Sequence, residues 1–177
     1  SLNYNLEPKG DLLIVAIPVQ YIRSVLRKIS IPSNSPILIL SKGIEEKTLM
    51  FPADIIKSIV KEKNKEIAVL SGPSHAEEVV KKTPTALIAA GNSNKNTKLI
   101  QKILSNHYFR VYQNDDIVGA EIGAACKNII SIASGISIGL KYGDNTIAAL
   151  ISRGLQEIIR LGIALGGKKE TFYGLSG

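Results

Sequence analysis

The chain has 177 residues, of which 45% are hydrophobic and 21% are charged, so it can build one large core or two modest ones. Its net charge of +7 would suit nucleic acid, but lysines alternate with glutamates, tryptophan is absent and aromatic residues make up only 5%. Because bases need stacking surfaces, this composition argues against nucleic-acid binding and favours a basic surface that attracts small anions.

The single cysteine, Cys126, cannot form an internal disulfide, which is typical of a reducing compartment. We interpret it as a small packed residue. No charge-free run exceeds 13 residues, the length of residues 128–140, and such a run is too short to span a bilayer. No signal peptide is recognisable, so we expect a soluble cytoplasmic protein without a membrane partner.

Strand and helix patterns alternate over the first 114 residues. Continuous apolar runs predict buried strands at 11–18, 36–43, 67–74, 85–91 and 108–113. Helical patterns separate them, at 19–29, 45–63 with an interruption near Pro52, 75–82 and 94–106. This order predicts an α/β domain over residues 1–114, with a partial Rossmann-like, doubly wound parallel sheet that binds ligands at the carboxyl ends of its strands. We interpret residues 1–10 as an arm that enters this sheet.

The strand patterns cease at about residue 115. Two long helices are predicted instead, at about 115–140 and 144–165. Asp144 and Asn145 are interpreted as the N-cap of the second helix, and Gly166 and Gly167 as its end. Residues 115–177 are therefore predicted to form a partial all-helical domain.

Lys127 is the one lysine within the small and apolar run 120–140. The small residues predict a central helix that other backbones approach closely. Two interpretations stay open: Lys127 reaches the surface or pairs with Glu121, or it is held, partly desolvated, at the domain junction to exchange a proton. Asn128 either orients a substrate or caps a neighbouring strand.

Two further clusters follow predicted strands. Lys42 comes directly after the second strand, where it is either an ordinary loop lysine or a residue of the ligand crevice. Gly72 permits a ligand to approach closely. We interpret Ser74 as a cap of the next helix, in either a plain strand-to-helix turn or a turn where the N–H groups of the helix start face an anion or a ribose.

The remaining polar residues suggest structural roles. His75 and His107 have no second histidine or cysteine nearby, so we expect no metal site. Arg153, Glu157 and Arg160 have the spacing of a surface ion network on one helix.

Together these motifs resemble the NAD(P)-dependent glycerol-3-phosphate dehydrogenases of the bacterial type. The similarity covers roughly residues 11–177 and is carried by "SKGIE", "SGPSHAEEV", "FRVY", the block from Gly119 to Gly162 and "GGKKETFYGLSG". The most specific part is the G-x-E-x-x-x-x-x-K-N spacing from Gly119 to Asn128.

The resemblance implies an oxidoreductase that interconverts dihydroxyacetone phosphate and sn-glycerol 3-phosphate with NAD or NADP, in phospholipid synthesis and usually as a homodimer. Lys127 would be the catalytic lysine, which exchanges the proton of the C2 hydroxyl, and Lys42 would contact both cofactor and substrate. We hypothesise that two lysines converging on one anion lower each other's pKa, with Lys127 as proton donor and Lys42 as electrostatic clamp. The other matching positions are the substrate contacts Gly72, Ser74 and Asn128, and the cofactor contacts Ala76 and Pro18.

The chain also departs from this family. The G-x-G-x-x-G loop is absent, as are the Asp and the Arg-Asn pair that hold the substrate phosphate. We therefore expect either an internal piece of a longer enzyme or the ordered part of one, which lacks turnover by itself. The choice between NAD and NADP stays open. Two alternatives remain: a related two-domain enzyme such as 2-dehydropantoate reductase, or an inactive binding or dimerisation fragment.

Overall fold

The computed structural model describes residues 10–60, 62 and 65–176. Most of the predicted arm at residues 1–10 lies outside this part. Strands and helices alternate through the first half, and helices alone make up the second. The elements are β1 (Leu13–Val15), α1 (Val19–Leu26), β2 (Ile37–Ile39), α2 (Pro52–Ile59), β3 (Ile67–Ser71), α3 (Ala76–Val80), β4 (Thr85–Gly91), α4 (Asn94–Leu104), β5 (Phe109–Asn114), α5 (Ile117–Gly139), α6 (Asp144–Ala164) and α7 (Lys169–Phe172).

The five strands form one sheet in the order β1-β2-β3-β4-β5, which confirms the Rossmann-like fold class. The strand directions are mixed, however. β1, β2 and β3 are parallel, whereas β4 runs antiparallel to β3 and parallel to β5. The reason is α3, which has only five residues and is too short to return the chain to the opposite edge of the sheet.

Helices cover both faces of the sheet. On one face, α1 and α2 contribute Ile22 and Ile56 to a core that includes Ile39 of β2. On the other face, Ile100 of α4 packs with Leu38 of the same strand. Adjacent residues of β2 thus point into two cores, as a doubly wound sheet requires.

The helical part has its own small core. Ile122 of α5, Ile159 of α6 and Phe172 of α7 are buried together. Gly162 lets α7 approach α6, because a Cβ atom at this position would lie 2.0 Å from Cζ of Phe172.

Two local predictions were wrong, and one helix was missed. Residues 45–51 are not helical, because α2 begins only at Pro52, where the proline occupies the first turn. The predicted Asp-Asn cap of α6 is absent, since Gly143 holds the N-cap position and no side chain caps the helix. The short helix α7 was not predicted.

Helix α5 is central only in its first half. Residues 119–124 are buried, whereas its second half and α6 expose large apolar side chains. Among the described helices, α5 alone is long and apolar enough to cross a membrane by composition, a test that core helices also pass. Its buried first half packs on β3, β4 and α7.

Candidate active site

The carboxyl ends of β2 and β3 meet the middle of α5 at a cleft of about 610 Å³. Six of the seven predicted site residues line this cleft, from both halves of the chain. They are Lys42, Gly72, Ser74, Ala76, Lys127 and Asn128. The seventh, Pro18, is outside the lining, at the exposed start of α1 beyond the carboxyl end of β1.

Lys42 is placed by a tight turn after β2. The buried Ser41 donates a hydrogen bond of 2.6 Å from Oγ to the carbonyl of Ile17, which ties this turn to the end of β1. Gly43 follows with φ of +114°, a conformation that side-chain-bearing residues rarely adopt. The lysine is therefore held at the edge where the parallel strands end.

Lys127 approaches Lys42 from the opposite side of the cleft. It is half-buried on α5, while Lys42 is more exposed. The pKa of Lys42 is lowered, first by partial desolvation and then by the nearby positive charge of Lys127. The positive charges of Lys42 and Lys127 therefore repel each other in the cleft. A bound anion would offset this repulsion.

The interpretation that Lys127 pairs with Glu121 was wrong. The carboxylate oxygen Oε1 of Glu121 instead accepts a hydrogen bond of 2.8 Å from the backbone N–H of Ala53 in α2. Asn128 is exposed and lines the cleft directly beside Lys127.

The turn after β3 forms the floor of the cleft. Gly72 has φ of +141°, and a Cβ atom there would lie 3.0 Å from the Cα of Leu87, so glycine is required by conformation and by space. Ser74 does not cap α3, contrary to our interpretation. The N-cap residue is His75 with no side-chain cap, and the Ser74 hydroxyl lies 3.5 Å from the Gly72 carbonyl. This hydroxyl is exposed towards the cleft.

The sequence interpretation missed three charged or titratable residues of the cleft. His75, Glu77 and Glu78 also line it, from the first turn of α3. Nδ1 of His75 lies 3.0 Å from a carboxylate oxygen of Glu77, and both side chains are exposed. Their position directly after a predicted strand end was the signal that could have identified them.

Asp116 fixes the helix that carries Lys127. Its Oδ1 accepts from the backbone N–H of Gly119 at 2.8 Å and thereby caps α5. Its Oδ2 accepts from the N–H of Lys168 at 2.8 Å and from Oγ1 of Thr171 at 2.6 Å. The start of α5 is therefore tied to α7, about three helical turns before Lys127.

The surface network on α6 is present as predicted. Arg153 and Arg160 lie 3.5 Å and 3.8 Å from the same carboxylate oxygen of Glu157. In the described part of the chain, no group of three or more histidine, cysteine, aspartate or glutamate side chains could hold a metal ion.

Two family models match the chain. Residues 6–97 match the N-terminus of NAD-dependent glycerol-3-phosphate dehydrogenase, and residues 116–177 match its C-terminus. A glycerol-3-phosphate dehydrogenase [NAD(P)+] of Fusobacterium nucleatum is 50% identical over 169 residues, covering 94% of this chain and 50% of the relative. One of Carboxydothermus hydrogenoformans is 50% identical over 171 residues, covering 95% of this chain and 51% of the relative.

Solved structures show the same fold. The glycerol-3-phosphate dehydrogenase of Coxiella burnetii is 37% identical with a TM-score of 0.87, over 94% of this chain and 51% of that one. That of Plasmodium falciparum is 27% identical with a TM-score of 0.86, over 95% and 48%. The chain spans about half the length of the curated relatives it matches. It belongs to the NAD-dependent glycerol-3-phosphate dehydrogenase family.

Proposed function

We propose that this chain forms part of a cytoplasmic, homodimeric enzyme that interconverts dihydroxyacetone phosphate and sn-glycerol 3-phosphate with NAD or NADP. In this proposal residues 1–114 belong to a dinucleotide-binding domain and residues 115–177 to a substrate domain. The observation that carries the proposal is the meeting of Lys42 and Lys127 in one cleft between these two parts. None of the relatives named above is a 2-dehydropantoate reductase.

The paired lysines are suited to a phosphorylated substrate. Each ammonium group raises the free energy of the other, and a bound dianion would reverse that repulsion. Gly72 leaves room for the substrate at the cleft floor, while Ser74 and Asn128 offer polar groups for its hydroxyl or carbonyl oxygens. The two lysines therefore offer positive charge to an anionic substrate, while Ser74 and Asn128 offer hydrogen-bonding groups to its three-carbon chain.

Lys127 is the proton-transfer residue in this proposal. Reduction of the ketone places negative charge on the C2 oxygen, and an Nζ–H of Lys127 supplies the proton that makes it a hydroxyl. In the reverse direction the neutral amine of Lys127 removes that proton. The ammonium group of Lys42 stabilises the developing oxyanion.

The residues of the cleft fit the nicotinamide end of the cofactor. Ala76 offers a small side chain at the cleft wall, Lys42 an ammonium group, and Pro18 an exposed position beyond β1 on the same edge of the sheet. When bound there, the nicotinamide supplies a hydride to C2 or accepts one from it. The residues of the chain bind and orient the substrate and move the proton.

A binding experiment tests this function on the chain itself. We expect sn-glycerol 3-phosphate to bind in isothermal titration calorimetry and to bind more weakly to Lys42→Met. Because screening weakens charge interactions, affinity should fall as salt rises. Arg153→Met is the matched control, since it removes one cation from the exposed network of α6. Equal affinities of the wild type and Lys42→Met would contradict the proposal.

A further inference from the structure

Glu121 is a buried carboxyl group that the proposed reaction does not use. It is 5% exposed, and its Oε1 accepts a 2.8 Å hydrogen bond from the backbone N–H of Ala53. Ala53 is the second residue of α2, a helix whose N-cap residue, Phe51, provides no side-chain cap. The first N–H groups of a helix have no acceptor within the helix. Glu121, which lies on α5, provides an acceptor for one of these N–H groups of α2.

This hydrogen bond joins α5, which carries Lys127, to the start of α2, which follows the segment that carries Lys42. Lys42 begins the segment of residues 42–51, which leads directly into α2. Lys127 lies on the same helix as Glu121, six residues further and therefore about 9 Å along its axis. Because α5 is one continuous helix, a shift at Glu121 moves Lys127 with it.

The charged groups around Glu121 come from α2. Asp54 and Lys57 face it and form an ion pair with each other at 3.1 Å. β3 and the other residues of α5 before Lys127 carry no further charged side chain. Burial, opposed by the Ala53 hydrogen bond, raises the pKa of Glu121 to about 7. The carboxyl group is therefore desolvated and held by this contact rather than by an ion pair of its own.

We propose that Glu121 is a positioning residue. Its hydrogen bond links α5 to α2 and thereby sets the separation between Lys127 and Lys42. The inference depends on the proposed function only for the identity of the ligand that the two lysines bind. The separation itself is a property of the folded chain.

The titration of Lys42 reports this separation, because partial desolvation and then the positive charge of Lys127 lower its pKa, and both effects weaken as the two side chains move apart. We compare Glu121→Gln, which keeps the acceptor oxygen, with Glu121→Ala, which removes it, by NMR of ¹³C-labelled lysine side chains. Both variants lose the same negative charge, and that loss alone moves the pKa of Lys42 down or leaves it unchanged. We expect an upward shift in Glu121→Ala only, as Lys127 moves away. The same pKa of Lys42 in both variants would overturn the proposal.

Two further variants keep the test decisive. Ile100→Val weakens the core on the other face of the sheet and should leave the pKa of Lys42 unchanged, so a shift there as large as in Glu121→Ala would also overturn the proposal. If Glu121→Ala does not fold, Glu121→Asp shortens the side chain by one methylene group while keeping its charge. We expect Glu121→Asp to raise the pKa of Lys42, and an unchanged value would overturn the proposal.

Calorimetry with sn-glycerol 3-phosphate separates this inference from the proposed function. If Glu121→Ala alone raises the pKa of Lys42 but the wild type does not bind the ligand, the positioning role stands and the function fails. If the wild type binds and the two variants titrate alike, the function stands and the positioning role fails.

Discussion

Thr171 of α7 donates a hydrogen bond of 2.6 Å from Oγ1 to Oδ2 of Asp116, the carboxylate that also caps α5. The buried side chain of Asp116 therefore links the start of α5, the helix that carries Lys127, to α7. Gly119 leaves the space for this carboxylate, since a Cβ atom there would lie 2.1 Å from Oδ2.

We expect Asp116→Ala to lower the free energy of unfolding by about 2–4 kcal/mol, because it removes a helix cap and leaves buried donors unpaired. Urea denaturation measures this change. The neighbouring Asp115→Ala is the control, since Asp115 forms an exposed ion pair with Lys168. Equal losses in the two variants would contradict the role of Asp116.

Glu121 should make stability depend on pH. Its pKa of about 7 in the folded state lies above its ordinary 4.5, so the folded state holds the proton more tightly. Stability should therefore fall as pH rises from about 4.5 to 7, by at most about 3 kcal/mol, and then level off. Thermal unfolding of the wild type and Glu121→Gln at several pH values measures this. If the difference in Tm between the wild type and Glu121→Gln were the same at every pH, the predicted role of Glu121 would be contradicted.

Glu45 should also make stability depend on pH, but at acid pH and in the opposite direction to Glu121. The guanidinium group of Arg23 donates hydrogen bonds to the carboxylate of Glu45, and Thr48 donates another. These bonds lower the pKa of Glu45 to about 2. Its contribution to stability is complete above about pH 4.5 and is lost as pH falls towards 2. We expect Glu45→Gln to lower Tm at pH 7 and to match the wild type near pH 2. The control Glu157→Gln, in an exposed network, should change Tm little.

Two helix glycines form a matched pair. We expect Gly162→Ala to destabilise the protein by about 1–3 kcal/mol, because the new methyl group would overlap the ring of Phe172. At Gly135 a Cβ atom would meet nothing within 4 Å among the described residues, so Gly135→Ala should stabilise by about 0.5–1 kcal/mol through helix propensity. Chemical denaturation distinguishes the two, and a stabilised Gly162→Ala would contradict the close packing of α6 and α7.

Apolar runs and positions at strand ends indicated the ligand edge of the sheet and made Lys42 and Gly72 candidates, whereas the resemblance to a known family supplied Ala76 and the roles of the cleft residues. Lys42 and Gly72 come after apolar runs that indicate buried strands, which placed them at the ligand edge of the sheet. The direction of β4 depends on how far a five-residue helix can carry the chain, which no apolar pattern encodes. The bond from Glu121 to Ala53 spans 68 residues and depends on helix packing, so a local pattern suggested the wrong partner, Lys127.

The central claim is that Lys42 and Lys127 bind one phosphorylated ligand between them. The most direct measurement is an NMR titration of the ¹³C-lysine-labelled chain with sn-glycerol 3-phosphate. The account predicts that the signals of both lysines move together, with one shared dissociation constant, while that of Lys102 on the outer face of α4 stays in place. A ligand that binds without moving either signal, or that moves Lys102 equally, would contradict the account.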